Sequence, residues 1–193
     1  RIVGWSYTGF RVLTNSKKPV TKLEDLQGLV IRVPKNEIML ATYKAWGINA
    51  TPMAWSETFT ALQQGVVDGQ DNPYLTISSM KFNEVQKYVT NIRYLFSLEP
   101  LVVSESVFQD LDEDVQKAIL EAGEAATLHS EQFLKDTEDR IKKELVEKGM
   151  EISDPEGGEA EWIEKATSEV WPAYYESVGG KERVDAVLKL LGR

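Results

Sequence analysis

TPMAWSETFTALQQGVVDGQDNP, residues 51–73, is the stretch on which the fold turns. It leaves a proline turn, passes through an amphipathic helical segment, and breaks at Gly65-Val66-Val67-Asp68-Gly69. It ends on Gln70-Asp71-Asn72-Pro73, which offers backbone and side-chain hydrogen bonds but no obvious catalyst. A polar loop behind a helix suits holding a small polar ligand better than transforming one.

Upstream, residues 29–34 (LVIRVP) form a short apolar run of the kind that makes a buried strand, interrupted by one arginine. Residues 36–46 read as a helix, with Asn36 as its N-cap and Gly47 as its stop. Residues 48–51 read as a further strand, and Ser56 is placed to cap the helix that ends near Gln64. Strand, helix, strand, helix at this spacing predicts a βαβ arrangement with a mainly parallel sheet. The chain opens on what reads as strand, residues 10–15 (FRVLTN) continue it, and residues 23–28 form a helical turn stopped by Gly28.

Downstream of Pro73 a short helix is expected, then a long strand over residues 85–95 and another over 101–104. Residues 112–148 carry the longest helical pattern. Val115, Ile119, Ala122 and Ala126 make one stripe on it, and Ile141 and Leu145 a later one. Asp112, Glu113 and Asp114 suit its positive end; Gly123 is a tolerable weak point. A helix this long is expected to bend or to bridge two lobes. Asp154-Pro155 breaks the chain, residues 159–177 resume as helix with a kink at Pro172, and a last helix covers about 181–191.

Composition narrows the function. With 22 basic and 31 acidic residues the net charge is −9, which argues against nucleic acid and against anionic lipid. No apolar run has the length of a membrane span, so direct membrane insertion is not expected. The first residues lack the apolar core and cleavage site of a signal peptide, so a mature or truncated piece is expected. Without cysteine there is no disulfide, zinc–thiolate site or cysteine nucleophile. The single histidine, His129, sits among Ser130 and Glu131 on the long helix and reads as solvated. Neither a nucleophile–base pair nor a phosphate loop can be assembled, and Asp68 with Asp71 is too small a set for a metal cage. The reading is therefore no enzyme, no cofactor and no metal.

Several segments together resemble a known family: Gly9-Phe10-Arg11, residues 26–34, residues 52–57, residues 61–73, and residues 81–88 (KFNEVQKY). In order and spacing they are similar to the substrate-binding proteins of TRAP transporters, the DctP family. The resemblance implies an α/β, periplasmic-binding-protein-like lobe with a mainly parallel sheet flanked by helices, plus a long hinge-spanning helix. Members of that family are two-lobed and longer at the N-terminus, so a truncated two-lobe protein with a half-built cleft is implied. The implied division is a second-lobe core at 1–97, a crossing strand and long-helix segment at 98–137, and C-terminal helices at 138–193. The implied role is periplasmic capture of a small organic acid and delivery to the membrane subunits of a TRAP transporter. A dimer through the surface left by the missing lobe is a further expectation. An extracytoplasmic sensor domain of the same fold is the alternative reading, and a small-molecule enzyme on an α/β scaffold the less favoured one.

The candidate ligand residues follow. Burying an arginine inside an apolar strand is costly unless it is paired, and a guanidinium fork matches a carboxylate bidentately. Read alone, Arg32 is better taken as a strand-end arginine reaching solvent or a structural acid; the resemblance implies that it clamps the ligand carboxylate. Arg11 matches a second family arginine, against an exposed strand residue as the plain reading. Asn72 matches a ligand-binding asparagine, against an ordinary cap before Pro73. Asp71 stands where the family often has glutamate. Trp55 matches a cleft-lining aromatic position, against a core tryptophan beside Pro52. Trp5, Tyr7 and Tyr94 are candidate wall residues at positions where relatives vary. Lys35 reads as solvated, and Met39, Tyr43 and Trp46 as core.

Overall fold

The structure is a computed structural model and describes residues 1–192. It resolves into two compact units, each assembled from three separate stretches: Arg1–Val12, Asn72–Glu84 and Arg93–Met150 in the first; Leu13–Asp71, Val85–Ile92 and residues from Glu151 onward in the second. The expected division used consecutive segments (1–97, 98–137, 138–193).

The second unit is built around a sheet whose middle strands are buried and whose edge strands are partly exposed. Strands β1 (Ile2–Asn15, whose last residues belong here), β2 (Ile31–Val33), β3 (Thr51–Pro52), β4 (Gly69–Pro73), β5 (Tyr88–Thr90) and β7 (Glu151–Ser153) lie in the order β3-β2-β4-β1-β5-β7. The sheet is mixed: β2 runs parallel to β3 and β4, β5 runs parallel to β7, and β1 meets β5 antiparallel. The remaining strand, β6 (Phe96–Val102), pairs antiparallel with β1 in the first unit. The α/β class read from the sequence holds.

Helix α1 (Glu37–Ala45) forms as read: the Asn36 side chain accepts from the Met39 N–H at 3.0 Å, and Gly47 ends the segment with φ of 93°. Its inner face buries Met39 and Tyr43, and Trp46 follows at its end, stacking edge-on with Trp162 at 5.1 Å. The Trp46 indole N–H donates to the Trp162 carbonyl, so a large apolar pair is also polar-satisfied.

Elsewhere the structure departs from the sequence reading for identifiable reasons. The strand expected over 48–51 is only β3, at the sheet edge, where Pro52 can sit without leaving a ladder bond unmade. Helix α2 (Trp55–Gln63) starts one residue before Ser56; its N-cap is Ala54, which offers no side-chain bond. The strand expected over 85–95 stops at Thr90, because the Ile92 N–H turns back onto the Thr90 carbonyl at 2.8 Å and breaks the ladder. The kink expected at Pro172 takes the form of a π-helical turn, Ala166–Val170, between α6 (Ala160–Lys165) and α7 (Trp171–Tyr174).

In the first unit β1 is one strand from Ile2, because Gly4 and Gly9 fall at its register shifts against β6 rather than ending it. Its other edge is covered by α5 (Glu113–Glu147): the N–H groups of Trp5 and Tyr7 donate to Thr127 Oγ1 and Ser130 Oγ, both at 2.8 Å. Hydroxyls three residues apart on a helix thus stand in for a neighbouring strand. The backbones touch there, and a Cβ on Gly4 would lie 2.5 Å from the Gly123 oxygen. Gly123 is therefore a requirement of close packing. The stripe of Val115, Ile119, Ala122 and Ala126 is not buried; α5 buries Gly123, Thr137, Ile141 and Leu145. Helices α3 (Tyr74–Ser79) and α4 (Glu105–Gln109) complete the first unit, and α8 (Lys181–Leu190) ends the second.

Two consequences can be measured. A Cβ at Gly123 would overlap the Val3 carbonyl oxygen, so Gly123→Ala is expected to cost about 1–3 kcal/mol in urea unfolding. Asp25 Oδ2 accepts from the N–H of Thr21 at 2.9 Å and of Lys22 at 3.0 Å. The Thr21 N–H is the main cause holding its carboxyl below the ordinary carboxylate value, with the Lys22 N–H supporting it against desolvation. The sign follows: the stabilisation is present above the unfolded value near pH ~4 and is lost as pH falls through the lower folded value. Wild type is therefore expected to exceed Asp25→Asn in stability at neutral pH and to lose that margin in acid, as read by denaturation from pH 7 to 2.

Candidate functional site

The stretch Gly69–Pro73, read as a polar loop, is strand β4 and is buried throughout. Polar side chains at a sheet centre must each find partners. Gln70 Nε2 donates to Thr14 Oγ1 at 2.9 Å, and Thr14 Oγ1 donates to Gln86 Oε1 at 2.8 Å. Gln86 in turn donates to the Asp68 carbonyl at 3.2 Å. Asp71, fully buried, accepts from the Tyr43 hydroxyl at 2.9 Å. Gly69 is needed because a Cβ would overlap the Thr14 carbonyl and lie 2.9 Å from Asn15 Cβ and Ile31 Cδ1.

Arg32 stands on β2, only 2% exposed, in register with Thr51 of β3 and Gln70 of β4. Its Nε and Nη2 both donate to the Met53 carbonyl, at 3.2 and 2.8 Å. Met53 is itself tied to the same strand, its N–H donating to the Val33 carbonyl at 3.0 Å. Trp55 follows at the start of α2, with the Arg32 Cζ 5.7 Å from the ring centroid. Trp55 is 43% exposed, so it is not a core tryptophan. Arg32, Trp55 and Asp71 all belong to the second unit, and the structure brings Arg32 and Trp55 together.

Trp5, Tyr7, Arg11, Asn72 and Tyr94 belong to the first unit. Arg11 is buried on β1, and its backbone N–H donates to the Leu95 carbonyl at 2.8 Å. Asn72 is buried on β4; the residue capping α3 is Pro73. Tyr7 packs edge-on against Phe96 at 5.9 Å. Trp5 is exposed and Tyr94 half-buried. His129 and Lys35 are exposed, as read from the sequence. Among the described residues no group of acidic or histidine side chains could hold a metal ion, and no helix is long and apolar enough to cross a membrane.

Sequence reasoning missed Met53, whose contribution is a backbone carbonyl and so leaves no side-chain signal. It also missed Thr14, Gln86 and Tyr43 as the polar partners behind β4. Tyr43 could have been found: a tyrosine on a helix face otherwise read as core carries a hydroxyl that needs a buried acceptor.

The family model described as bacterial extracellular solute-binding protein, family 7 (DctP) matches residues 1–177. A sialic acid-binding periplasmic protein of Vibrio cholerae is 37% identical over 154 residues, covering 78% of this chain and 46% of that protein. A TRAP periplasmic solute-binding protein of Rhodobacter sphaeroides, in an open apo state, is 43% identical with a TM-score of 0.81, covering 100% of this chain and 62% of that one. Another from Polaromonas sp. JS666, bound to D-erythronate, is 34% identical with a TM-score of 0.88, covering 96% and 60%. The chain spans about half the length of the curated relatives it matches.

The Asp71 interaction yields a direct test. Tyr43→Phe removes one donor from a fully buried carboxylate and is expected to destabilise by about 1–3 kcal/mol, read as a lower urea midpoint at unchanged slope.

Proposed function

Since the chain belongs to family 7 of the bacterial extracellular solute-binding proteins, a periplasmic family, we propose that it serves in capturing a small organic acid, a sugar acid foremost, for delivery to the membrane subunits of a TRAP-type transporter. One observation carries the reading: a guanidinium buried within a strand, with one edge fixed by a backbone carbonyl. A guanidinium so held is a preorganised partner for a carboxylate, because its fork geometry is set before the ligand arrives. Sugar acids are favoured because relatives of similar sequence are described with sialic acid and D-erythronate.

In this reading Arg32 docks the carboxylate. Arg11 and Asn72 carry the same proposed assignment, ligand binding, each judged by its own variant; Asp71, Trp55, Trp5, Tyr7 and Tyr94 are proposed with them. Overall charge is no obstacle: the net −9 is a long-range effect that salt screens over roughly 10 Å, whereas a fork interaction acts at hydrogen-bond distance.

Calorimetry on the full-length protein carrying this sequence tests the proposal, with D-erythronate and sialic acid as probes. Arg32→Ala is expected to weaken binding about 10- to 150-fold, the worth of a charge-assisted bond. Arg32→Lys should recover only part of it, since charge returns without the fork. Equal affinity in Arg32→Ala and wild type would remove the clamp.

A further inference from the structure

We infer that the outer face of α1 forms a second small-molecule site, suited to an extended zwitterion with its ammonium at Glu37 and its carboxylate at Lys44 and Asn49. The site is separate from the residues assigned to the organic acid and does not depend on that reading.

The period of the helix places the groups. At about 100° per residue, Met39 and Tyr43 turn inward, while Glu37, Leu40, Ala41 and Lys44 make a stripe on the opposite face. An outward stripe on a surface helix is ordinarily polar throughout; this one is apolar in its middle and walled. Tyr174 of α7 and the Asn49-Ala50 segment before β3 join it in lining a groove of about 320 Å³. Tyr174 is tied to the helix by its hydroxyl, which donates to the Glu37 carbonyl at 3.3 Å. Leu40, Ala41 and Tyr174 are half-buried and Ala50 is buried, and all of these residues lie in the second unit.

Glu37 opens α1 and Lys44 lies in its last turn, so the charges stand about 10 Å apart along the axis. The helix dipole favours an acid at the first end and a base at the last, which accounts for the two charges. It does not account for a walled apolar stretch between them. Among the described residues, no hydrogen bond or ion pair engages the Glu37 carboxylate, the Lys44 ammonium or the Asn49 amide. Opposite charges at the ends of an apolar groove match a ligand with opposite charges at the ends of an apolar body. A simple anion would also meet Glu37, and a simple cation Lys44. The Asn49 amide adds an N–H donor for the carboxylate. An extended chain advances about 3.3–3.6 Å per residue, so a free tripeptide has the required span, as does a straight-chain ω-amino acid of equal length. The groove volume is that of a small-ligand pocket.

Calorimetry on the full-length protein tests this, with trialanine titrated into the millimolar range beside N-acetyl-trialanine and a straight-chain ω-amino acid of the same span. Lys44→Ala and Glu37→Ala are each expected to weaken trialanine about 1.5- to 5-fold, the range of a solvent-exposed ion pair. Ala41→Phe, which fills the floor from an outward position, should abolish binding, and Arg32→Ala should leave it unchanged. Glu37→Lys should shift preference from trialanine to a dicarboxylate of equal span. Binding of the ω-amino acid, with or without trialanine, supports recognition of the two termini alone; binding of trialanine only supports added contacts to its peptide groups. The inference is overturned if wild type binds neither zwitterion, if N-acetylation leaves affinity undiminished, or if Arg32→Ala loses trialanine. A dimer in light scattering that Ala41→Phe dissociates also overturns it, because a second copy then fills the groove.

Discussion

A guanidinium at 2% exposure inside a β-sheet is the constraint from which the second unit's local architecture follows. Desolvating that charge costs several kcal/mol even after relaxation, so the surrounding chain must return hydrogen bonds to it. The Met53 carbonyl does so, and it can because β3 ends at Pro52 and releases the chain from the ladder one residue before. A longer β3 would direct that carbonyl into strand pairing. The shortness of β3, which looks like poor strand formation, is thus what lets the backbone turn toward Arg32 and then start α2 at Trp55. Packing, pairing and the side chain's charge state are solved by one five-residue passage.

The neighbouring strand shows the same economy with neutral groups. Gln70 and Thr14 share a chain of hydrogen bonds with Gln86, and Asp71 is held by Tyr43. A buried network of this kind specifies register, because a one-residue slip would leave several groups unpaired at about 1–3 kcal/mol each. Gly69 enforces the same register sterically through its approach to Thr14, Asn15 and Ile31. The sheet bearing Arg32 is thereby fixed in position without reliance on apolar packing alone. That suits a binding surface, where tenths of an ångström in the fork decide how well a planar anion is met.

How far the sequence can be read depends on which atoms carry the signal. Helix α1 is legible to its ends because Asn36, Gly47, Met39 and Tyr43 each declare a role through the side chain. Arg32 is conspicuous for the same reason, as a charge in an apolar run. Strand β4 reads as a loop because its residues are polar and its burial is compensated by partners far away in sequence, such as Thr14 and Gln86. Gly123 reads as a weak point, whereas it makes a backbone contact with Gly4, and Gly4 and Gly9 mark register shifts. The Met53 carbonyl is invisible in principle. The stripe of Val115, Ile119, Ala122 and Ala126 has helical periodicity without burial, because α5 meets β1 through glycine and hydroxyls.

These features also separate what can vary from what cannot. A substitution at Arg32, Gly69, Gln70 or Asp71 disturbs a buried neighbour as well as the residue itself, so its cost exceeds that of the single interaction removed. Trp5 is 37% exposed and Tyr94 half-buried, so replacing either removes less buried surface. A carboxylate fork reads only the carboxylate; it cannot tell a short acid from a bulky one. Under the proposed carboxylate role of Arg32, selectivity among acids would reside in positions that are cheap to change, while Arg32 stays locked into the sheet. Physical cost alone divides these residues into a set fixed in the sheet and an adjustable periphery.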